Sequence, residues 1–356
     1  MRSAYLNFII GLLALGLVDS AEASPGYAFA TVECTAAGCT APADRWYSST
    51  GTVSAARLGI GNYTVNVGSG LGSGGNVQVT ALGSSSAYCK VASWGSSSVA
   101  VRCYSAAGSA TDSKFTLSLN NYQGSSDAAD AAYVWAHFPS GASYTPLPQF
   151  SYNGFGGANR ITRSGVGTYT VRMEGAWASE GHPQVTAYGA NPTRCKVSSW
   201  SASSSAATVN VKCTADAMFS LVFVDGTTPA HALFGYGGSF GAYGWADNMT
   251  SSASYTVSLP YQWSSVVEAA SDPMRSQWLS TGYYRVTIPE LGDVDQYYPT
   301  NVLATAYGSD GAYCKVSSWS RSGPDAVVWV RCFSATGAPV NSRFNLLYQS
   351  DLTVLI

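Results

Sequence analysis

One block of sequence occurs three times, and no other feature restricts the fold as tightly. Cys89-Lys90-Val91 followed by Trp94 returns as Cys195-Lys196-Val197 with Trp200 and as Cys314-Lys315-Val316 with Trp319. Ahead of each stands Thr80-Ala81-Leu82-Gly83, Thr186-Ala187-Tyr188-Gly189 or Thr305-Ala306-Tyr307-Gly308. Earlier still come Gly61-Asn62-Tyr63-Thr64-Val65, Gly167-Thr168-Tyr169-Thr170-Val171 and Gly282-Tyr283-Tyr284-Arg285-Val286. Landmarks of the second copy follow those of the first by a constant 106 residues, so no insertion separates them. A unit of that length is domain-sized. The expected organisation is a leader over 1–23 and three modules near 24–122, 128–226 and 227–351.

Within each copy the apolar residues recur every second position, as in Tyr63-Thr64-Val65-Asn66-Val67 and Val77-Gln78-Val79-Thr80-Ala81. Alternation of this period is the pattern of strands with one buried face, and the frequent Gly, Ser, Asn and Asp between runs supply turns. The fold class expected is all-β: three tandem antiparallel β-sandwich or jelly-roll modules. The opening strands are placed at Tyr27 to Ala30, Tyr133 to Phe138 and His231 to Tyr236. The helix-permissive stretch is Ser264 to Ser271.

Eight cysteines and no Cys-x-x-Cys point to disulfides rather than a zinc or redox site. Directly opposed residues of an antiparallel hairpin have a constant index sum. Cys89 with Cys103 gives the same sum as Val91 with Val101 and Ser93 with Val99, and the same test pairs Cys195 with Cys213 and Cys314 with Cys332. One hairpin bridge per module follows, each stabilising by roughly 3 kcal/mol if chain entropy dominates. Cys34 and Cys39 remain and are expected to close a small local loop.

An apolar run from Phe8 to Val18 follows Arg2 and leads to Ala21-Glu22-Ala23, which reads as a signal peptide with cleavage before Ser24. The mature chain is expected to be secreted, extracellular or periplasmic, without a membrane span. Removing the leader leaves 17 basic and 18 acidic side chains, so bulk charge favours no nucleic acid and no anionic surface. Charged residues make up 11% of the chain against roughly 25% in ordinary domains. Such a surface suits neutral polymers or self-association.

The index sums also set Lys90 opposite Arg102, Lys196 opposite Lys212 and Lys315 opposite Arg331. Like charges directly opposed are destabilising, and four of five lysines stand there. They are read either as a repeated cationic spot for an acidic ligand group or as charges that splay into water or flank a neighbouring carboxylate. Trp94, Trp200 and Trp319 are read either as stacking platforms for sugar rings or as aromatic packing between modules. Catalytic strings are weak. Gly237-Gly238-Ser239-Phe240-Gly241 imitates a nucleophile elbow, but His137, His182 and His231 all precede it. Gly70, Gly72 and Gly75 lie between strands with no helix to receive a phosphate. Asp293 with Asp295, and Glu174 with Glu180 around Trp177, read as solvated loop acids. No catalytic residue, metal ligand or cofactor is expected.

The ordered set Gly-x-Tyr-x-Val, Thr-Ala-Tyr-Gly, Cys-Lys-Val-x-Ser-Trp, Val-x-Val-Arg-Cys-Phe and Ser-Arg-Phe-x-Leu resembles tandem modules of secreted bacterial β-sandwich proteins of uncharacterised function. That resemblance implies export and a compact β module, and it brings no functional residues with it. A looser likeness in strand rhythm is to jelly rolls of the C1q and tumour-necrosis-factor type. The functional expectation is a non-enzymatic extracellular recognition or adhesion protein that binds a carbohydrate or cell-surface polymer through the repeated aromatic and basic hairpins. A structural surface or matrix protein that self-associates, and a secreted hydrolase with a site in the loops of module three, are the alternatives.

Overall fold

The computed structural model of the chain describes residues 26–35, 38–68, 71, 74–122, 131–175, 181–224, 240–267, 269 and 271–351. The leader, Gly70, Gly72, Trp177, Glu180, the run from His231 to Tyr236 and Gly237 to Ser239 lie outside the described residues.

Each copy contributes two layers. In the first, the inner strands Gly26–Thr35, Lys114–Asn121 and Asn76–Leu82 pair in that order. They face the outer strands Ser54–Gly59, Asn62–Asn66, Ser98–Tyr104 and Tyr88–Trp94. Alternate residues of both layers, among them Ala30, Val32, Val79, Val65, Val91 and Val101, meet in one core cluster. Full burial of a Val-sized side chain contributes roughly 1.5–3 kcal/mol. The same arrangement recurs around Val134, Val185, Val197 and Val211, and around Val302, Val316, Val328 and Val330. In the third copy the strand equivalent to Gly26–Thr35 is Phe240–Ala246, later than the strand the sequence pattern places there.

The Gly-x-Tyr-x-Val motif has a local explanation. Gly61, Gly167 and Gly282 turn the outer hairpin at φ of 60°, 61° and 66°, and a Cβ there would stand 2.4, 2.3 and 2.4 Å from the carbonyl oxygens of Cys103, Cys213 and Cys332. The tyrosine two residues on is buried, and its hydroxyl accepts the backbone N–H of Ser113, Ala217 or Ser342 at 3.1, 3.0 and 3.0 Å. Asp112 receives Arg57 at 3.0 and 2.9 Å together with the Gly61 N–H and the Tyr63 hydroxyl, which holds its carboxyl well below the usual range. Asp216 and Arg163 repeat this in copy two. Copy three carries a neutral version, in which the Trp278 indole N–H and the Gly282 N–H donate to Asn341.

All four expected disulfides are present: Cys34–Cys39, Cys89–Cys103, Cys195–Cys213 and Cys314–Cys332. The hairpin registers match the index sums through Val91↔Val101 and then slip, so that Ser93 pairs with Ala100 and Trp94 with Val99. The expected Ser93–Val99 pairing is corrected by a β-bulge: one extra residue sits in the first strand, as it does after Val197 and Val316. The bulge turns each tryptophan toward its own valine partner and the junction beyond.

The largest departure from expectation is that the sheets do not stop at module borders. Leu82 pairs in parallel with Val316, Tyr188 with Val91 and Tyr307 with Val197. In each case the following glycine donates its N–H across the border, at 3.0, 2.9 and 2.9 Å. Three mixed sheets of ten, eight and nine strands result, each joining the inner strands of one copy to the outer strands of the copy before it. The third copy precedes the first in this cycle, so the three copies close into a ring while no sheet closes into a barrel. Pairing within each copy is antiparallel, as expected, and the parallel pairs lie at the borders, where a ring of like units brings equivalent strand ends together in one direction.

Around the ring's axis, Thr80 donates to the Ala304 carbonyl at 3.1 Å, Thr186 to Val79 at 3.3 Å and Thr305 to Val185 at 3.2 Å. Gln78, Asn76, Asn301 and Asn345 are likewise buried there. The alternation of Val77-Gln78-Val79-Thr80 thus does not mark a wet face. On its polar side Thr80 bonds to the third copy, and Gln78 donates to Asn76, whose amide bonds in turn to the second copy. Among the described residues an α-helix lies at Gly292–Tyr297, and the first residue of the Ser264 to Ser271 stretch ends the strand Gln262–Ser264.

Candidate binding sites at the module junctions

The lysines of the hairpins are buried, with Lys90 at 1%, Lys196 at 5% and Lys315 at 1% exposure. Each reaches into the loop of the next copy. Lys90 Nζ donates to the Asn191 carbonyl and side-chain oxygens at 3.0 and 2.9 Å, Lys315 Nζ donates to the Ser85 carbonyl at 3.1 Å, and Lys196 pairs with the Asp310 carboxylate. Burial lowers Lys90 to about 8 and Lys315 to about 7, and lowers Lys196 against the opposing pull of Asp310. Two of the cations opposed to them are turned aside: Lys212 Nζ donates to Thr168 at 2.8 Å, and the Arg331 guanidinium lies 4.1 Å from the Tyr283 ring centre. Lys90 and Arg102 are direct register partners, as are the other two pairs.

The tryptophans sit at the same junctions. Trp94 meets Trp135, Phe150 and Tyr188 of the second copy at ring distances of 5.7, 5.5 and 5.3 Å. Trp200 meets Trp245, Tyr261 and Tyr307 of the third at 5.2, 5.6 and 5.3 Å. Edge-to-face contacts of this kind add to the area they bury. The strand registers place Thr31, Arg45 and Leu82 at the corresponding positions around Trp319.

Trp319 therefore has a different environment. Its indole N–H donates to Thr300 at 3.0 Å, and the Arg45 guanidinium stands 4.8 Å from its ring centre, leaving it 9% exposed. Where the other junctions hold aromatic rings, a cavity of about 310 Å³ remains, bordered by Trp319, Leu82, Thr31, Glu33, Lys114 and Ser318. The charges at its rim are paired, Lys114 with Glu33 at 2.8 Å and Arg45 with Asp295 at 2.8 Å. Thr31 is 2% exposed, and its hydroxyl has no hydrogen-bond partner among the described residues.

A second cavity, of about 250 Å³, borders Arg194, Lys212, Thr214 and Tyr313. It lies where copy two carries Thr214 in place of Tyr104 or Phe333, and lacks the turns that bring Ala110 and Pro339 back against those rings. Arg194 itself is wedged between Tyr88 and Tyr313 at 4.8 and 4.5 Å from their centres.

The acid and base candidates occupy structural positions. His182 is buried, stacked at 4.8 Å on Tyr243 and bonded to Gln184, and burial pushes it down to about 3. His137 contacts Trp135 and Tyr144. Asp293 pairs with Arg321, Asp295 with Arg45 and Glu174 with Arg172. No helix among the described residues is long and apolar enough to cross a membrane. Comparisons with protein families, with characterised proteins and with solved structures returned no match. Thr31 belongs to no motif, and Leu82 is the position at which the first copy departs from the repeated Thr-Ala-Tyr-Gly block. The one sign of them in the sequence is Leu82 standing where the other copies hold Tyr188 and Tyr307.

Proposed function

We propose that this protein is a non-enzymatic extracellular recognition or adhesion protein that takes a carbohydrate or cell-surface polymer at the junction between its third and first copies. The reading rests on one observation: two of three equivalent junctions are filled by aromatic rings, and the third keeps a cavity of about 310 Å³ beside Trp319. Concave sites with mixed apolar and polar walls are where small groups bind, at roughly 300–1,000 Å³. Four disulfides fit an oxidising compartment. Capture of purified protein on immobilised polysaccharides and whole cells, with release by the same soluble polysaccharide, is the expected result; failure to bind any of them overturns the reading.

A structural surface or matrix role is favoured by a separate feature. The outer hairpin tips expose Leu58 at 63%, Ile60 at 61%, Val166 at 67% and Leu279 at 38%, apolar side chains on equivalent turns. Concentration-dependent assembly on a sizing column, abolished by Ile60→Ser with Val166→Ser, supports that role; a monomer at all concentrations removes it.

A further inference from the structure

We infer that the open junction binds one neutral hexopyranose ring of the polymer, in the space that the indoles of Trp135 and Trp245 occupy at the closed junctions. This rests on the recognition reading above and names the chemistry of its site. The closed junctions show what the scaffold accepts at this point: an indole of the next copy set edge-to-face against the tryptophan of the cysteine strand. Thr31 replaces that ring with a hydroxyl, and Leu82 replaces Tyr188 and Tyr307 with an aliphatic group.

The walls discriminate between ligand classes. Trp319 and Leu82 offer apolar surface, which matches the C–H face of a pyranose. Thr31 offers a buried hydroxyl that no described residue engages, and Ser317 and Ser318 line the border. A purely aromatic ligand would bury these hydroxyls without partners, which costs free energy. Lys114 and Glu33 neutralise one another, as do Arg45 and Asp295, so among the described residues the site has no unpaired charge to reward an acidic or cationic ligand. A ring with apolar faces and a hydroxylated edge satisfies both sets of walls.

The test restores the closed junction. Isothermal titration with the methyl glycosides of glucose, galactose, mannose and N-acetylglucosamine and with their oligomers is compared with glucuronate and indole. Thr31→Trp, the residue of both other copies, is expected to abolish saccharide binding while leaving the melting temperature equal or higher. Leu82→Tyr serves as an independent filling variant should the first not fold. Thr31→Val keeps the volume and removes the hydroxyl, and is expected to weaken binding about fivefold, the loss of one hydrogen bond of roughly 1 kcal/mol. Saccharide binding that survives both filling variants overturns the site. Binding of glucuronate or indole in preference to every neutral glycoside overturns the ligand class. If no glycoside or oligomer binds but polymer capture is lost in Thr31→Trp, the ring chemistry is wrong and the recognition reading stands; if capture also fails in the unaltered protein, both fall.

Discussion

The two closed junctions and the open one are built on the same strand pairing and differ in what fills the space beside it. At Trp94 and Trp200 the next copy brings in an indole, a second aromatic from a short 3-10 turn and a tyrosine. At Trp319 it brings in Thr31, Arg45 and Leu82, and part of the aromatic contact is exchanged for polar ones with Thr300 and Asp295. Backbone pairing at one position per border thus sets the ring, while side-chain volume decides whether a junction is sealed. A repeat can keep its assembly device and vary one junction without disturbing the others.

The comparison is broken most directly at a closed junction. Trp200→Ala removes the centre of its aromatic cluster and is expected to cost roughly 3–5 kcal/mol in urea unfolding. Trp94→Ala should behave alike, and a loss below about 1 kcal/mol for both would show that the rings do not hold the junctions together.

Proton linkage gives a second, smaller contrast. The folded values of Lys90 and Lys315, about 8 and about 7, lie below the ordinary lysine value of 10.5. Between about pH 7 and 10 the unfolded chain therefore holds protons that the folded chain has released, so stability should rise with pH across that window and be lowest below it. Above pH 10 the raised values of buried tyrosines such as Tyr88, pushed up to about 12, reverse the slope. A rise in melting temperature of about 2–5 °C from pH 7 to 9.5 is expected, and Lys315→Met, at the open junction, should flatten it more than Lys196→Met, whose lysine has Asp310 as partner. A flat profile in the unaltered protein would contradict buried lysines at the junctions.

The smallest effect is expected within a module. Asp112→Asn leaves Arg57 without its carboxylate and should lower the melting temperature by about 1–2 °C, whereas Asp112→Asn with Arg57→Trp reproduces the neutral pair of Trp278 and Asn341 and should recover it. Because the Asp112 carboxyl is held below its ordinary range, its contribution is present at neutral pH and is lost as the solution is acidified below about pH 4. No recovery in the double variant would show that the charged and neutral forms are not equivalent.

Much of each module is legible in the amino-acid sequence. Index sums pair Cys89 with Cys103, and likewise their counterparts, because strand geometry makes that arithmetic local. The sum fails at Ser93 because a bulge adds a residue without changing the hydrophobic pattern that announces a strand. Lys90, Lys196 and Lys315 stand out by facing other cations, and Trp94, Trp200 and Trp319 by their repetition. Their surroundings are not legible, since the partners stand many tens of residues away or more, at Asn191, Asp310, Ser85, Trp135 and Trp245.

By itself, the sequence determined most of the strands and the disulfide within each copy, both of which follow from contacts between residues near in the chain or from period-two alternation. Only the tertiary structure decided that the polar face of Val77-Gln78-Val79-Thr80 points inward, that the three copies close into one ring, and that Thr31 leaves one junction open. The reason is physical. Hydrogen bonds across a border take any strand of suitable direction, and an empty volume is defined by the side chains that surround it, which no single segment of the chain contains.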